Sequence, residues 1–390
     1  MKRSQIYRKG IVFFLTLVFI ITIAAPGLSA ASPFYSGQTY YGDNVSAYTD
    51  EAPPDLPQYT EPHEFNPYDL SGRVIILDPG HGIGSTNIFM GYDEQVAMLD
   101  LALRIKPLLE KSGAQVLLTR ETGANVLLSV RAAMTNIWAL EALEQTRLRS
   151  AMESEYADEL FDGDVIICEK LLNDINEIHE LISIMQSIID DPIEYSSIFM
   201  NTPFDPQRPI HPDLQRILEL QNDPEIYTRF LFISLHSNAT PRPINTAMNG
   251  AMTFHISNEH KNTRNYFTGF SHEALSRSFG NFLLGHIEEV GFRNLGPRRD
   301  NFFVIREHNL PAVLAENGFH TNARDRAMLM SESYMDRLAQ AYFNAITDYF
   351  AALPLHGSHH DPYDIPFGSE YDSDQNDSIE EIYYSDGNAH

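Results

Sequence analysis

Short apolar runs alternate with amphipathic stretches along the middle of the chain. Val74–Leu77 and Gln115–Leu118 have the length and β-branched or aliphatic character of buried strands. Between them, Glu94–Lys111 repeats apolar residues at helical spacing and stops before Gly113. Further strand-like runs follow at 230–235, 251–256 and 312–315, and long amphipathic helices at 271–290 and 331–350. The pattern predicts an α/β domain with a mostly parallel, twisted sheet and helices on both faces.

One stretch, from about residue 137 to residue 228, breaks this alternation. It is rich in acidic residues at helical spacing, contains no strand-like run, and ends in the Pro-rich segment 201–212. We interpret it as a helical acidic insertion in the α/β domain. The single cysteine, Cys168, falls within it, so an intramolecular disulfide is excluded.

The two ends of the chain differ from the middle. Residues 1–30 combine four basic residues, the apolar run Ile11–Ala25 and small residues up to Ala30, which predicts a signal peptide. An uncleaved membrane anchor is the alternative, because a span needs about 20 apolar residues. Residues 31–70 are rich in Pro, Tyr, Ser and Asp, which predicts an extended linker before a domain at 71–355. Residues 356–390 contain nine acidic residues and no Lys or Arg, which predicts a disordered acidic tail.

The charge of the chain restricts its partners. The 390 residues include 27 Lys and Arg against 53 Asp and Glu, a formal net charge of -26. The negative electrostatic field of such a chain repels the phosphate backbones of nucleic acids, so we expect no nucleic-acid partner. Because Ile11–Ala25 is the one long apolar run, we also expect no membrane contact beyond the signal segment.

Metal-binding or acid–base side chains follow three of the predicted strands. His81 comes after the first strand through a short turn, His236 ends the strand that starts at Phe230, and Glu316 ends the last strand. In a parallel sheet, ligands bind beyond the carboxyl ends of the strands. Glu94 opens the helix after the first strand, so its side chain can face the same edge. We therefore expect these four side chains to lie close together.

Two histidines and a carboxylate are the ligand set of a catalytic zinc site, where the ion lowers the pKa of bound water to about 7. A second carboxylate is needed as general base for that water and as acid for the leaving amine. His81, Glu94 and His236 suit the ligand role for one Zn²⁺ ion, and Glu316 suits the role of the base. Taken singly, a histidine at a strand end more often caps or packs, and a glutamate at a helix start is favoured by the helix dipole.

The motifs around these residues carry a resemblance to a known family. In chain order they are Ile75–Gly82 (IILDPGHG), Gly91–Glu94 (GYDE), Val116–Arg120 (VLLTR), Ser129–Ala133 (SVRAA), Phe232–Ala239 (FISLHSNA) and Leu310–Asn322 (LPAVLAENGFHTN). The chain resembles the zinc-dependent N-acetylmuramoyl-L-alanine amidases of the amidase type 3 family, which are bacterial cell-wall hydrolases with an α/β catalytic domain. The resemblance covers roughly residues 71–136 and 229–350.

The resemblance implies roles that agree with the chemistry above. His81, Glu94 and His236 would bind zinc, and Glu316 would be the catalytic base. The implied reaction cleaves the amide between N-acetylmuramic acid and L-alanine of the peptidoglycan stem peptide, which an exported chain meets in the periplasm or cell envelope. Two alternatives remain: a zinc peptidase that acts on stem peptides, and a non-catalytic cell-wall or division regulator on the same fold.

The chain also departs from the family pattern. The family usually has Gly, Lys and Asn where this chain has Ile83, Gln95 and Met98, so we expect altered surroundings but no loss of metal. The larger departure is the insertion at 137–228. In some relatives an inhibitory helix located elsewhere covers the zinc until an activator binds. The insertion is therefore either an inhibitory cap on which a protein activator acts, or a packing or partner-binding segment.

Six further residues are weaker candidates. Asn249, in a turn, and His255, on a predicted strand, are candidates for substrate binding, although packing is the more common role of such a histidine. His308 and His320 lie near Glu316 in the sequence, and either can hold the base or the substrate. We expect Arg120 and Arg131 to anchor loops by ion pairs in preference to binding a muramyl carboxylate.

Overall fold

A computed structural model of the chain describes residues 69–85, 87–153, 165–200, 209–241, 244–260, 263 and 266–353. The predicted signal peptide, the acidic tail and all but the last two residues of the predicted linker lie outside the described residues. Of these two residues, Leu70 is fully buried and belongs to the core. In the described part of the chain, no helix is both long and apolar enough to cross a membrane.

The core of the fold is a six-stranded sheet in the order β4-β1-β5-β8-β6-β7. Strands β4, β1, β5 and β8 are parallel, β6 runs antiparallel to β8, and β7 is parallel to β6. The prediction of a mostly parallel sheet is confirmed. Its strands are β1 (Val74–Pro79), β4 (Gln115–Leu118), β5 (Phe230–Asn238), β6 (Ala251–His255), β7 (Asn294–Arg299) and β8 (Ala312–Phe319), and a separate hairpin pairs β2 (Ile88–Phe89) with β3 (Tyr92–Asp93).

Ten helices are found in the described residues. They are α1 (Glu94–Lys111), α2 (Leu128–Glu153), α3 (Val165–Asp190), α4 (Pro192–Phe199), α5 (Pro212–Leu220), α6 (Pro224–Tyr227), α7 (Glu273–Val290), α8 (Phe303–Arg306), α9 (Ala323–Leu329) and α10 (Glu332–Ala352). The bounds of α1 match the prediction, because local chemistry sets both ends. Asp93 caps its start by accepting a hydrogen bond from the backbone N–H of Gln95. Gly113, at φ 90°, takes the left-handed conformation that ends many helices.

Helices cover both faces of the sheet, as the sequence predicts. Successive side chains of a strand point to opposite faces, so Ile75 and Leu77 of β1 contribute to one core and Val74 and Ile76 to the other. The first core contains apolar residues of α1, α7 and α10. The second contains apolar residues of α2, α3 and α5. Each buried aliphatic side chain stabilises the fold by about 1.5–3 kcal/mol.

The helices of the predicted insertion supply part of this second core. Leu140 of α2, Met185 of α3 and Leu214 of α5 are buried in the same cluster as Phe230 and Phe232 of β5. The described residues between 137 and 228 contain no strand, as predicted. Residues 148–173, helical where they are described, form part of a second compact unit. The other helices of the insertion are thus an integral layer of the α/β fold.

The structure also contains strands that the sequence pattern does not reveal. β7 carries Gly296 and Pro297, which weaken any strand signal and are tolerated at the edge of a sheet. The β2–β3 hairpin has two residues in each strand, too few for a periodic pattern. Apolar periodicity gives no strand direction, so the reversal at β6 is visible only in the structure.

Candidate metal centre

The turn after β1 places His81 at the carboxyl edge of the sheet. His81 has φ 60°, a left-handed conformation that residues other than glycine rarely adopt. Gly80 precedes it, and a Cβ atom there would lie 2.3 Å from Cε1 of the His236 ring. The close approach of this turn to β5 therefore requires glycine at position 80.

Buried polar groups hold this turn in place. The Asp78 carboxylate accepts hydrogen bonds from Arg131 Nη1 at 2.6 Å, from Ser234 Oγ at 2.6 Å and from the Thr119 hydroxyl. Burial would raise the pKa of Asp78, but the charge of Arg131 and these hydrogen bonds outweigh burial and lower it. Arg131 and Arg120 also donate to the carbonyl oxygens of His81 and Gly80, at 2.5 and 2.8 Å. Both arginines act as loop anchors in this structure.

Three side chains from distant parts of the chain converge at this edge. His81 Nε2 and His236 Nδ1 each lie 3.2 Å from Oε1 of Glu94, and the two imidazole rings meet edge to face at 4.9 Å. Glu94 is buried and also accepts a hydrogen bond from the backbone N–H of Ser237 at 2.9 Å. Burial would raise its pKa, but contacts with His236 and His81 outweigh burial and hold the pKa well below its ordinary value. Burial lowers the pKa of His236.

The donor atoms of this cluster fit a zinc ion. The ligand atoms of His81, Glu94 and His236 lie within 4.8 Å of one another, and the described residues contain no other such group of three or more metal-ligating side chains. Two imidazoles and one carboxylate are the protein ligands of several catalytic zinc sites, which keep a further position open. A cation between these atoms would balance the buried charge of Glu94.

Glu316 lies on the strand next to His236. In the parallel pairing of β5 and β8, Glu316 is the register partner of His236, so the two side chains leave the sheet on the same face. Part of the Glu316 side chain reaches solvent, but Oε2 is buried and has no hydrogen-bond partner. Burial, together with the charge of Glu94, raises the pKa of Glu316 well above its ordinary value.

A buried polar chain continues behind the cluster. The Tyr92 hydroxyl donates to Ser237 Oγ at 2.8 Å, and Ser237 Oγ lies 3.0 Å from Nδ1 of His320. The rings of Tyr92 and His320 stack at 5.3 Å. Burial lowers the pKa of His320. His320 therefore lies beside the cluster, while Tyr92 and Ser237, which the sequence analysis did not single out, support it.

The structure separates the weaker candidates. Asn249 precedes β6, and because Met252 pairs with Glu316, Asn249 lies toward the edge that carries the cluster. Phe254 pairs with Leu314, so His255 lies toward the opposite edge, where it is buried 3.9 Å from Glu273.

His308 is also far from the cluster. It precedes β8, at the end of that strand remote from Glu316, and it is buried with its ring 4.7 Å from that of Phe232. Of the candidate histidines outside the ligand set, only His320 lies beside the cluster.

Of the family departures, Ile83 is exposed and Met98 is buried, and two further apolar residues near Ile83 in the sequence are exposed as well. Ile83, Ile88 and Met90, all in the segment between His81 and Glu94, expose 63%, 59% and 73% of their surface. Met98 is buried under the sheet edge, where the Asn317 amide contacts its sulfur at 3.9 Å. None of these residues contributes a ligand atom to the cluster.

Comparison with known proteins identifies the family. The sequence profile of the N-acetylmuramoyl-L-alanine amidase family, amidase type 3, matches residues 75–143 and 201–348, more than half of the chain. The chain belongs to this amidase family. The matched segments contain all four residues of the candidate site, and the unmatched gap falls within the predicted insertion.

The chain is also similar to individual proteins. It is 29% identical over 120 residues to the uncharacterized protein YqiI of Bacillus subtilis (31% of this chain, 51% of YqiI). It is 36% identical over 64 residues to the N-acetylmuramoyl-L-alanine amidase CwlM of Bacillus licheniformis (16% of this chain, 25% of CwlM). The chain thus spans about half or less of these curated relatives. The catalytic domain of the amidase CwlV from Paenibacillus polymyxa aligns with a TM-score of 0.39 and 18% identity, over 72% of this chain and 98% of that domain.

Proposed function

We propose that this amidase is an exported, zinc-dependent peptidoglycan hydrolase. It cleaves the amide bond between N-acetylmuramic acid and L-alanine of the stem peptide. The observation that carries the proposal is the convergence of His81, Glu94 and His236, with Glu316 on the adjacent strand, inside the segments that match the amidase family. Zinc, when bound, would lower the pKa of a water molecule to about 7 and polarise the scissile carbonyl.

The proposed roles of the residues follow from their surroundings. His81, Glu94 and His236 hold one Zn²⁺ ion through two nitrogen atoms and one oxygen atom. Glu316 takes a proton from the attacking water and transfers it to the amide nitrogen that leaves. A carboxyl group with a raised pKa suits this exchange, because it holds a proton more readily than an ordinary carboxyl group does. Asn249 lies at the same edge and is our candidate for substrate contact.

Export agrees with this substrate. Peptidoglycan lies outside the cytoplasmic membrane, and the basic and apolar residues of segment 1–30 form the pattern of a signal peptide. We therefore propose that the chain acts in the periplasm or cell envelope. A protein activator that acts on the insertion stays a prediction.

Product analysis tests the proposed reaction. Purified peptidoglycan is incubated with the full chain and Zn²⁺, and the soluble products are identified by mass spectrometry. We expect free stem peptides that begin at L-alanine, together with glycan that carries no peptide. Peptides cut internally would favour the zinc peptidase. Bound zinc without any product would favour the non-catalytic regulator.

A further inference from the structure

Arg326 of α9 bridges the segment that follows β8 and the β2–β3 hairpin. Its Nη1 atom donates to the carbonyl oxygen of His320 at 2.9 Å, and its Nη2 atom donates to the sulfur of Met90 at 3.5 Å. The guanidinium also lies over the ring of Phe89, 5.2 Å from the ring centroid. Neutral groups thus hold the side chain in place, while the residue stays partly exposed.

No carboxylate balances the charge of this guanidinium. The ion pairs among the described residues include none with Arg326, although the chain has 53 Asp and Glu against 27 Lys and Arg. Burial lowers the pKa of Arg326, and no acidic side chain opposes this shift. A guanidinium has five N–H donors, and the acceptors that Arg326 contacts are carbonyl oxygens and a thioether, which is a weak acceptor. The side chain therefore keeps donors and a full charge for an acidic ligand.

Arg326 lies at the rim of the candidate site. Only three residues separate α9 from β8, the strand that carries Glu316. The hairpin that Arg326 contacts joins His81 to Glu94, and the ring of His320 stacks on the tyrosine of that hairpin at 5.3 Å. The guanidinium is thus attached to the two segments that carry these site residues.

The substrate of the proposed reaction has a carboxylate close to the bond that is cleaved. The stem-peptide residue after L-alanine is a glutamate linked through its side chain, which leaves its α-carboxylate free. An extended chain spans about 3.3–3.6 Å per residue, so this carboxylate lies about 7 Å from the scissile carbonyl. A stem peptide cleaved at the candidate ligands therefore extends this carboxylate to the rim of the site.

We propose that Arg326 is a specificity-determining residue that binds the free α-carboxylate of the second stem-peptide residue. This inference rests on the proposed function and deepens it, because it names the group that is recognised next to the scissile bond. The planar guanidinium can bind both oxygen atoms of a carboxylate. Amidation of that group removes its charge and replaces one acceptor oxygen by a donor, so the enzyme prefers the stem peptide that is not amidated there.

The test measures the preference for the carboxylate over the carboxamide. Two synthetic muramyl tripeptides, which differ only in having glutamate or isoglutamine as the second residue, are incubated with the full chain and Zn²⁺. We expect the wild-type kcat/KM to be about tenfold higher for the carboxylate, the equivalent of one hydrogen bond to a charged group. Arg326→Met, which keeps an apolar stem against Phe89, should lose this preference. The loss should lie in KM, because the carboxylate is not among the reacting atoms.

Two further variants separate a specific contact from a general effect of charge. Arg324→Met removes the same charge from the same helix, but positions two residues apart lie about 200° apart around a helix, so this variant should keep the preference. Arg326→Lys keeps the charge without the planar pair of donors, so its preference should be intermediate. The lysine variant serves as the test if Arg326→Met fails to fold.

The outcomes separate this inference from the proposed function. Equal kcat/KM values for both substrates in the wild-type chain, or a wild-type preference in Arg326→Met, would overturn the role of Arg326 and leave the amidase reaction intact. An equal loss of preference in Arg324→Met would assign the preference to the general charge of α9 and also overturn this role. A wild-type chain that releases no peptide from either substrate would overturn the proposed function, and this inference with it.

Discussion

At the scale of single residues, the candidate site contains two carboxyl groups with opposite properties. Glu94 is surrounded by two imidazoles and a backbone N–H, which favour its charged form. Glu316 has a buried oxygen without a partner and the charge of Glu94 nearby, which favour its neutral form. Environments that push two pKa values apart are typical of sites that divide binding and proton transfer between two groups.

Glu316→Gln tests this division of roles. The amide cannot accept the proton, so we expect kcat for stem-peptide release to fall by about 100-fold or more. Zinc content should stay at one ion per chain, because Glu316 is not a ligand, whereas His81→Ala should lose both zinc and activity. Glu288→Gln, on the exposed side of α7, is the matched control. Full turnover by Glu316→Gln would remove Glu316 from the mechanism.

Met90→Asn tests the strain in the β2–β3 hairpin. Met90 has φ 49° and Gly91 has φ 88°, and two-residue turns with positive φ favour asparagine followed by glycine. Met90 is also 73% exposed, so the substitution loses little burial. We expect the free energy of unfolding, measured in urea, to rise by about 1 kcal/mol. A decrease would mean that the contact of its sulfur with Arg326, at 3.5 Å, outweighs the backbone strain.

At the scale of secondary-structure elements, the candidate metal centre depends on α2, whose Arg131 holds the turn after β1. Arg131, near the start of this helix, is paired with Asp78 in the protein interior, where each side chain is at most 2% exposed. Removing one partner of such a pair leaves an uncompensated charge in a medium of low dielectric constant. The position of His81 is therefore coupled to the packing of a helix that also enters the insertion.

Arg131→Met should destabilise the fold by about 3–5 kcal/mol, because Asp78 is left as a buried, unpaired charge. Arg147→Met, in a partly exposed pair with Asp223, should cost no more than about 1 kcal/mol. The double variant Asp78→Asn/Arg131→Met should recover part of the loss. Equal losses in both single variants, measured by urea unfolding, would argue against the buried pair.

The helices of the insertion give a second prediction at this scale. Leu214 of α5 is fully buried in the second core, whereas Ile193 of α4 is 90% exposed. Leu214→Ala should therefore cost about 2–5 kcal/mol, and Ile193→Ala less than about 0.5 kcal/mol, in the free energy of unfolding. If Leu214→Ala were as mild as Ile193→Ala, the insertion would be a separable cap.

At the scale of the whole molecule, three histidines remote from the candidate ligands couple stability to pH. Burial lowers the pKa of His255 and His308 to about 3, and that of His272 to about 4. In the unfolded chain each would titrate near 6.5. Between these values the unfolded state binds more protons than the folded state, so the free energy of unfolding falls as the pH falls below 6.5.

His308→Gln should reduce this pH dependence. Each buried histidine contributes a slope of up to about 1.4 kcal/mol per pH unit between pH 6 and pH 4.5, and the variant removes one such contribution. Leu214→Ala is the control, because it lowers the free energy of unfolding without removing a titrating group. Urea unfolding at several pH values gives the slopes. Equal slopes in the wild-type chain and His308→Gln would show that His308 is already charged in the folded protein.

Local sequence patterns were sufficient to predict much of the candidate site. Apolar runs and capping residues in the sequence predicted β1, α1, β5 and β8. They were sufficient because the length and the ends of an element depend on residues that are neighbours in the sequence. Once the strands are parallel, the residues after them must share one edge, so His81, His236 and Glu316 could be grouped from the sequence. The helical, acidic character of the insertion followed from the same local signals.

Other features depend on contacts between residues far apart in the sequence. Apolar periodicity does not depend on strand direction. Only the structure therefore shows that β6 runs antiparallel to β8, which places His255 at the edge of the sheet opposite the cluster. Tyr92 lies within the GYDE motif, but the hydrogen bond from its hydroxyl to Ser237 exists only because β3 and β5 meet in the folded chain. The sequence by itself therefore determined most strands and helices of the core and the candidate ligands that they carry. The tertiary structure decided which side chains complete the site, because a buried polar group is defined by the partners that packing brings to it.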